Sequence, residues 1–276
     1  MTDTKLKRVW RALRLGGLAL IAGLALAATA PTLAHAQDTT AAATSTDTTT
    51  PAPAAAAEAA PAAEAAPTPT LDAGATSWML TSSALVLLMT IPGLALFYGG
   101  MVRKKNVVAT VTQSFAITCL VTVLWMVVGY SIAFGANADA EMNKYFGGFG
   151  AVMMNGIHAD TIKGVIPEYV FMFFQMTFAI ITPALICGAY AERMKFSAMM
   201  IFTAAWLLLV YAPIAHWVWG GGFLGGAGVL DFAGGTVVHI NAGVAGLVCA
   251  LVMGKRAEGP APPHNVVLTM IGAAID

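Results

Sequence analysis

Charge is what this sequence has least of. Only 10% of its 276 residues are Asp, Glu, Lys or Arg, against roughly 25% in a soluble domain. The 14 basic and 14 acidic side chains cancel, and no basic patch with interleaved aromatics exists to meet nucleic acid, so that partner is excluded. Cysteine is scarce too. Cys119, Cys187 and Cys249 each fall inside an apolar run. Their spacing matches no metal site and no disulfide framework, so they read as small buried apolar side chains. There is no nucleophile, base and orienter set and no phosphate-cradling glycine loop, which argues against an enzyme and against a cofactor.

Apolar residues fill the space that charge leaves. They make up 58% of the chain, and the mean hydropathy is +0.75. Five runs reach the length of about 20 residues that a bilayer crossing needs: approximately 79–102, 107–135, 167–191, 197–219 and 236–254. A sixth run starts near Asn265 and stops at Asp276, about half a crossing by the same rule. The expected class is an all-α, multi-pass membrane protein with five complete spans and a truncated sixth.

Before the spans lie two segments of different character. Lys5, Lys7, Arg8, Arg11 and Arg14 precede an apolar run from Leu15 to Ala30, followed by Ala34 and Ala36. That order is the pattern of a secretory signal peptide over 1–36; a retained anchor is the alternative. Residues 37–73 are dominated by Ala, Thr, Pro and Glu. Thr39 to Thr70 has no aromatic and no β-branched aliphatic residue, a composition that reads as a disordered linker. The membrane domain then covers 74–276.

The few charges orient the spans. Of the nine Lys and Arg after the signal region, seven follow spans one, three and five: Arg103, Lys104, Lys105, Arg193, Lys195, Lys255 and Arg256. Lys144 and Lys163 lie in the opposite loops. The positive-inside rule places the seven in the cytoplasm and the N-terminus outside, which agrees with an exported leader. The expected location is the inner, or plasma, membrane.

Several residues stand out against this apolar background. His239 sits in a run that is uncharged from Phe232 to Gly254. If the helix began at Asp231, His239 would lie about 12 Å inside it, at about 1.5 Å per residue. An ionisable residue at that depth reads as part of a transport path or proton relay; packing glue between helices is the alternative. Phe174 and Phe178 are four apart and share a helix face, with Phe171 extending the stripe. Such a stripe is usually packing. Trp219 reads as an interfacial anchor or as a ring face for a cation. Asp231 reads as a helix cap or a cation ligand, and the cap is preferred because it needs only local geometry. Pro92 and Gly93 predict a kink in span one. The glycines from Gly220 to Gly228 predict tight turning or a close backbone approach to a ligand.

Taken together these runs are specific. The stretch Gly93 to Gly100 with Arg103, Lys105 and Asn106, the stretch Phe174 to Thr182 ending in Glu192 and Arg193, the stretch Ala212 to Gly222, and the stretch Asp231 to Gly243 resemble ammonium transporters (the Amt, Mep and Rh superfamily), in its bacterial Amt branch. The resemblance spans about residues 74 to 275.

It implies an eleven-helix fold whose first ten helices form two inverted halves, this chain corresponding to the first. It also implies a homotrimer with a pore in each subunit, ammonium or ammonia as substrate, surrounding membrane lipid, and a PII-type cytosolic regulator. By motif, Trp219 with Phe174 would recruit ammonium, Phe174 and Phe178 would form the gate, His239 would line the pore and relay a proton, and Asp231 would be a structural carboxylate beside the site. An ammonium sensor or a non-conducting modulatory subunit is the alternative. The family's second gate phenylalanine and second pore histidine have no counterpart here, so the chain is expected to be incomplete or frame-disrupted.

Overall fold

Asp72 opens the membrane domain. Its side chain accepts the Ala75 N–H at 2.9 Å and caps helix α1, Ala73–Met101. Capping explains why α1 begins six residues before the apolar run that predicts it, because a satisfied N-terminus lets Gly74, Thr76 and Ser77 join the helix. The computed structural model describes residues 70–276 apart from 257, 258, 260 and 261. The expected signal peptide and nearly all of the expected linker lie outside the described residues.

Four more helices are long and apolar enough to cross a membrane: α2, Lys104–Phe134; α3, Glu168–Tyr190; α4, Phe196–Gly226; and α5, Gly235–Met253. A shorter apolar helix, α6, runs Val266–Ile275 and is capped by Asn265, which accepts the Leu268 N–H at 3.1 Å. Between α2 and α3 a two-residue antiparallel pair forms, β1 (Ile162–Lys163) and β2 (Ile166–Pro167), with Lys163 opposite Ile166. Span one is interrupted where expected: Ile91 leaves helical geometry just before Pro92, inside a wide turn over Met89–Leu94. Similar wide turns occur at Trp125–Gly129, Leu207–Tyr211 and Gly235–Ile240.

The core gathers around α3. In its apolar window 61% of residues are buried, against 22% for α5 and 28% for α1, so α3 is the central helix and α5 a peripheral one. Trp125, Tyr130, Tyr190, Tyr211, Leu94 and Ile117 are fully enclosed. Helix α6 packs against the second half of α1, where glycine permits close approach. A Cβ on Gly100 would lie 2.4 Å from Thr269 Oγ1, and one on Gly272 would lie 2.2 Å from Phe97 N. Two buried or part-buried hydroxyls bond back along their own helices, as an apolar medium favours: Ser83 donates to Met79 O at 2.7 Å, and Thr182 to Phe178 O at 2.6 Å.

The cysteine expectation needs correction. Cys187 is buried, donating to Gln113 Oε1 at 3.0 Å, but Cys249 is only half-buried and Cys119 is exposed. Cys119 lies mid-span on the rim of the helix unit. An apolar thiol there faces an apolar medium, so burial in protein is not required of it.

Candidate functional site

The site begins with a carboxylate that winds a turn around itself. Asp231 Oδ1 accepts the N–H groups of Gly234 at 2.6 Å and Gly235 at 2.8 Å, and Oδ2 accepts those of Thr236 at 2.8 Å and Val237 at 3.0 Å. Four free donors at a helix start are thereby met by one side chain. The turn passes through Gly234 at φ +84°, in the left-handed region that favours glycine. A Cβ there would press on Val238 Cγ2 at 2.7 Å.

The same turn holds Trp219. Its indole Nε1 donates to the Asp231 carbonyl at 2.8 Å. Its ring stands edge-on to Phe178 with centroids 5.9 Å apart, and Phe178 stands edge-on to Phe174 at 5.0 Å. Trp219, Phe178 and Phe174 are all half-buried, and they form one continuous aromatic file from α4 to the first half of α3. Phe171 does not extend that file. It makes edge contacts with Tyr130 at 6.5 Å and Phe134 at 5.1 Å. Spacing along α3 says which residues share a face, but the neighbouring helix decides what each ring touches.

His239 is placed differently from the sequence estimate. The helix begins at Gly235, not Asp231, because residues 231–234 are used to wrap the carboxylate. His239 is thus four residues into α5, about 6 Å along its axis at about 1.5 Å per residue. It is exposed on the surface of the helix unit, together with Ile240, Leu247 and Leu251 of the same helix. Asp276, at the end of α6, lies within electrostatic range of it.

A second histidine, quoted above only as part of a run, is the fully buried one. His216 Nδ1 is 2.9 Å from Ala133 O and Nε2 is 2.6 Å from Asn143 O. Trp217 Nε1 donates to Tyr145 O at 2.7 Å, and Phe223 N to Lys144 O at 2.9 Å. These bonds tie the loop after α2 to the end of α4. Gly220 makes the approach possible, since a Cβ there would meet Ala133 O at 2.0 Å. The glycines of this loop therefore serve close backbone packing at this point, as well as a positive-φ turn at Gly221.

At the opposite end, Glu192 gathers the basic loops. It accepts from Asn106 Nδ2 at 2.7 Å and from Arg103 N at 3.1 Å, with Arg103 Nη2 at 3.8 Å and Arg256 Nε at 3.9 Å. Burial alone would push its pKa up. The hydrogen bonds from Asn106 and Arg103 and the two guanidinium charges outweigh that and hold it below the usual carboxylate value. Glu192 also takes a left-handed backbone, φ +63°, so its place is fixed by its surroundings rather than by preference. Sequence reading placed Glu192 at the end of a motif and gave no signal of this role, since its partners are 86 and 89 residues away.

Five apolar helices of membrane-spanning length, packed around α3, make this a multi-pass helical membrane protein. Residues 77–275 match the Ammonium Transporter Family, and the chain belongs to it. The ammonium transporter of Aquifex aeolicus is 50% identical over 205 residues, covering 74% of this chain and 48% of that protein. Among solved structures, Saccharomyces cerevisiae Mep2 superposes with a TM-score of 0.67 at 33% identity, over 75% of this chain and 47% of that one. A sensor Amt protein superposes with a TM-score of 0.65 at 26% identity, over 72% of this chain and 51% of that one. The chain spans about half the length of the curated relatives it matches.

Proposed function

We propose that this chain forms the ammonium-recruiting half of an ammonium transporter, with the Trp219 end outside the inner membrane and the Arg103 end in the cytoplasm. The observation that carries the reading is the aromatic file Trp219, Phe178 and Phe174 beside the Asp231 turn. Ammonium and potassium are similar in size, so a sieve alone separates them poorly. A ring face with hydrogen-bond acceptors favours a cation that is itself a directional donor. Trp219 with Phe174 recruits that ion, and Phe174 and Phe178 form a phenyl gate. The gate resists a hydrated charge and admits neutral ammonia at lower desolvation cost.

Below the gate, His239 lines the path and relays the proton as a neutral imidazole offering one donor and one acceptor. Asp231 has a structural role, fixing the turn from which Trp219 hangs. The exposed face of α5 is where the second half of the fold closes the path, because inverted-repeat transporters build their sites between repeats. A leader removed from 1–36 leaves the N-terminus outside. The working assembly is a homotrimer, and the loops around Glu192 form the face that a PII-type regulator meets.

A sensor role has one observation on its side, the superposition on a sensor Amt protein. The 50% identity to an ammonium transporter, against 26% to the sensor, favours transport.

Ammonium uptake by the gene product that carries this chain, measured against concentration, tests the reading. Trp219→Leu should raise the half-saturating concentration by about two- to thirty-fold, equivalent to about 0.5–2 kcal/mol of cation–π attraction. Unchanged concentration dependence at normal surface expression would leave Trp219 as an anchor only.

A further inference from the structure

Away from the aromatic file, the Lys163 ammonium group is surrounded by rings. Its Nζ lies 4.9 Å from the Phe171 centroid, 5.5 Å from that of Phe134 and 5.7 Å from that of Tyr130. Glu168 Oε1 stands 3.8 Å from the same nitrogen. That oxygen also accepts the Tyr130 hydroxyl at 2.6 Å, which aims the carboxylate. The rings brace one another, with Phe134–Phe171 centroids at 5.1 Å and Tyr130–Phe134 at 5.6 Å. Behind them the fully buried Trp125 contacts both Tyr130 and Phe134 at 6.2 Å. Rigid ring faces around one carboxylate are the recognition chemistry of an alkylammonium cation. Lys163 reaches this cage from the β1–β2 hairpin, whose turn passes through Gly164 at φ +67°.

We propose that Tyr130, Phe134, Phe171 and Glu168 form a second cation site, of the primary alkylammonium class, whose native occupant is the side chain of Lys163. It shares no residue with the Trp219 file and does not depend on the transport reading. The hairpin tether supplies the cation at high effective concentration, which keeps free cations out. In return the cage fastens the loop between α2 and α3 to the ends of both helices. Burial among the rings pulls the Lys163 amine below its usual value, while Glu168 opposes the shift. The ammonium form is the one the carboxylate and ring faces hold.

Chemical rescue tests this. Lys163→Ala removes Cγ to Nζ, the atoms of n-propylammonium, and should lower the melting temperature of the purified gene product. Adding n-propylammonium chloride should restore it saturably, beyond the effect of potassium chloride at equal ionic strength. Wild type and Lys163→Arg should show no such gain, since their cage is filled. Lys163→Ala/Glu168→Gln should lose the rescue, and Lys163→Ala/Trp219→Leu should keep it, which separates this site from the recruitment site. Lys163→Met keeps most of the stem without charge and should also melt below wild type, so the test survives poor folding of the alanine variant. The proposal is overturned if Lys163→Met melts like wild type, or if propylammonium does no more than potassium for Lys163→Ala.

Discussion

Asp231 illustrates how one side chain can set the geometry of several others. Both carboxylate oxygens are used twice, on consecutive N–H groups of the turn whose Asp231 carbonyl accepts the Trp219 indole N–H. Asp231→Asn keeps one acceptor oxygen and turns an amide NH2 toward donors, so at least one pair of bonds is lost. Hydrogen bonds to a charged group are worth about 1.5–3 kcal/mol each. The variant should melt lower and capture ammonium less well, through a Trp219 ring no longer held. Melting and uptake measured on one preparation check both effects, and wild-type values for both would mean that the turn does not need the charge.

Much of this was legible in the sequence, because capping is local: the carboxylate, its four donors and the histidine lie within nine consecutive residues. What could not be read was where the helix starts. Wrapping the carboxylate consumes residues 231–234, which halves the estimated depth of His239. Its exposure was equally hidden, since that depends on which face of α5 the other helices leave uncovered. Phe174 and Phe178 touch as their four-residue spacing predicts, whereas Phe171 turns to partners on α2 that spacing along α3 cannot name.

At the scale of elements, length and hydropathy located five spans, most boundaries to within three residues, with the largest shifts at the capped start of α1 and at the end of α4, which runs on to Gly226. The ties between them were not legible, being distant in sequence. His216 reaches carbonyls 83 and 73 residues away, and Glu192 joins the loops that follow α1, α3 and α5.

Glu192 gives a prediction with a definite sign. Its folded pKa is lowered, so its stabilising contribution is fully present above the ordinary carboxylate pKa and is lost as pH falls through the folded value. Glu192→Gln should therefore melt below wild type at neutral pH, by an amount of order one charged hydrogen bond, about 1.5–3 kcal/mol. The two melting curves should converge in acid. A gap that stays constant from neutral to acid pH would show that the carboxylate charge is not what joins the loops.

For the whole molecule, the open side of the unit matters most. His239, Ile240, Leu247 and Leu251 are exposed along α5, the least enclosed span, and the chain covers about half of its relatives. The proposed relay role of His239 requires this face to become the wall of a path, as in transporters that build their sites between repeats. Composition signalled a membrane protein and the motifs signalled its family, but neither could show which side of α5 stays open. That depends on α1 to α4 packing together around α3.

The proton relay through His239 is tested most directly by currents across vesicles holding the gene product, with ammonium and then potassium as the driving ion. His239→Ala should abolish the ammonium-evoked, proton-coupled current or admit potassium, while assembly survives. Wild-type ammonium current together with wild-type potassium exclusion in that variant would contradict the relay and leave His239 as a packing residue.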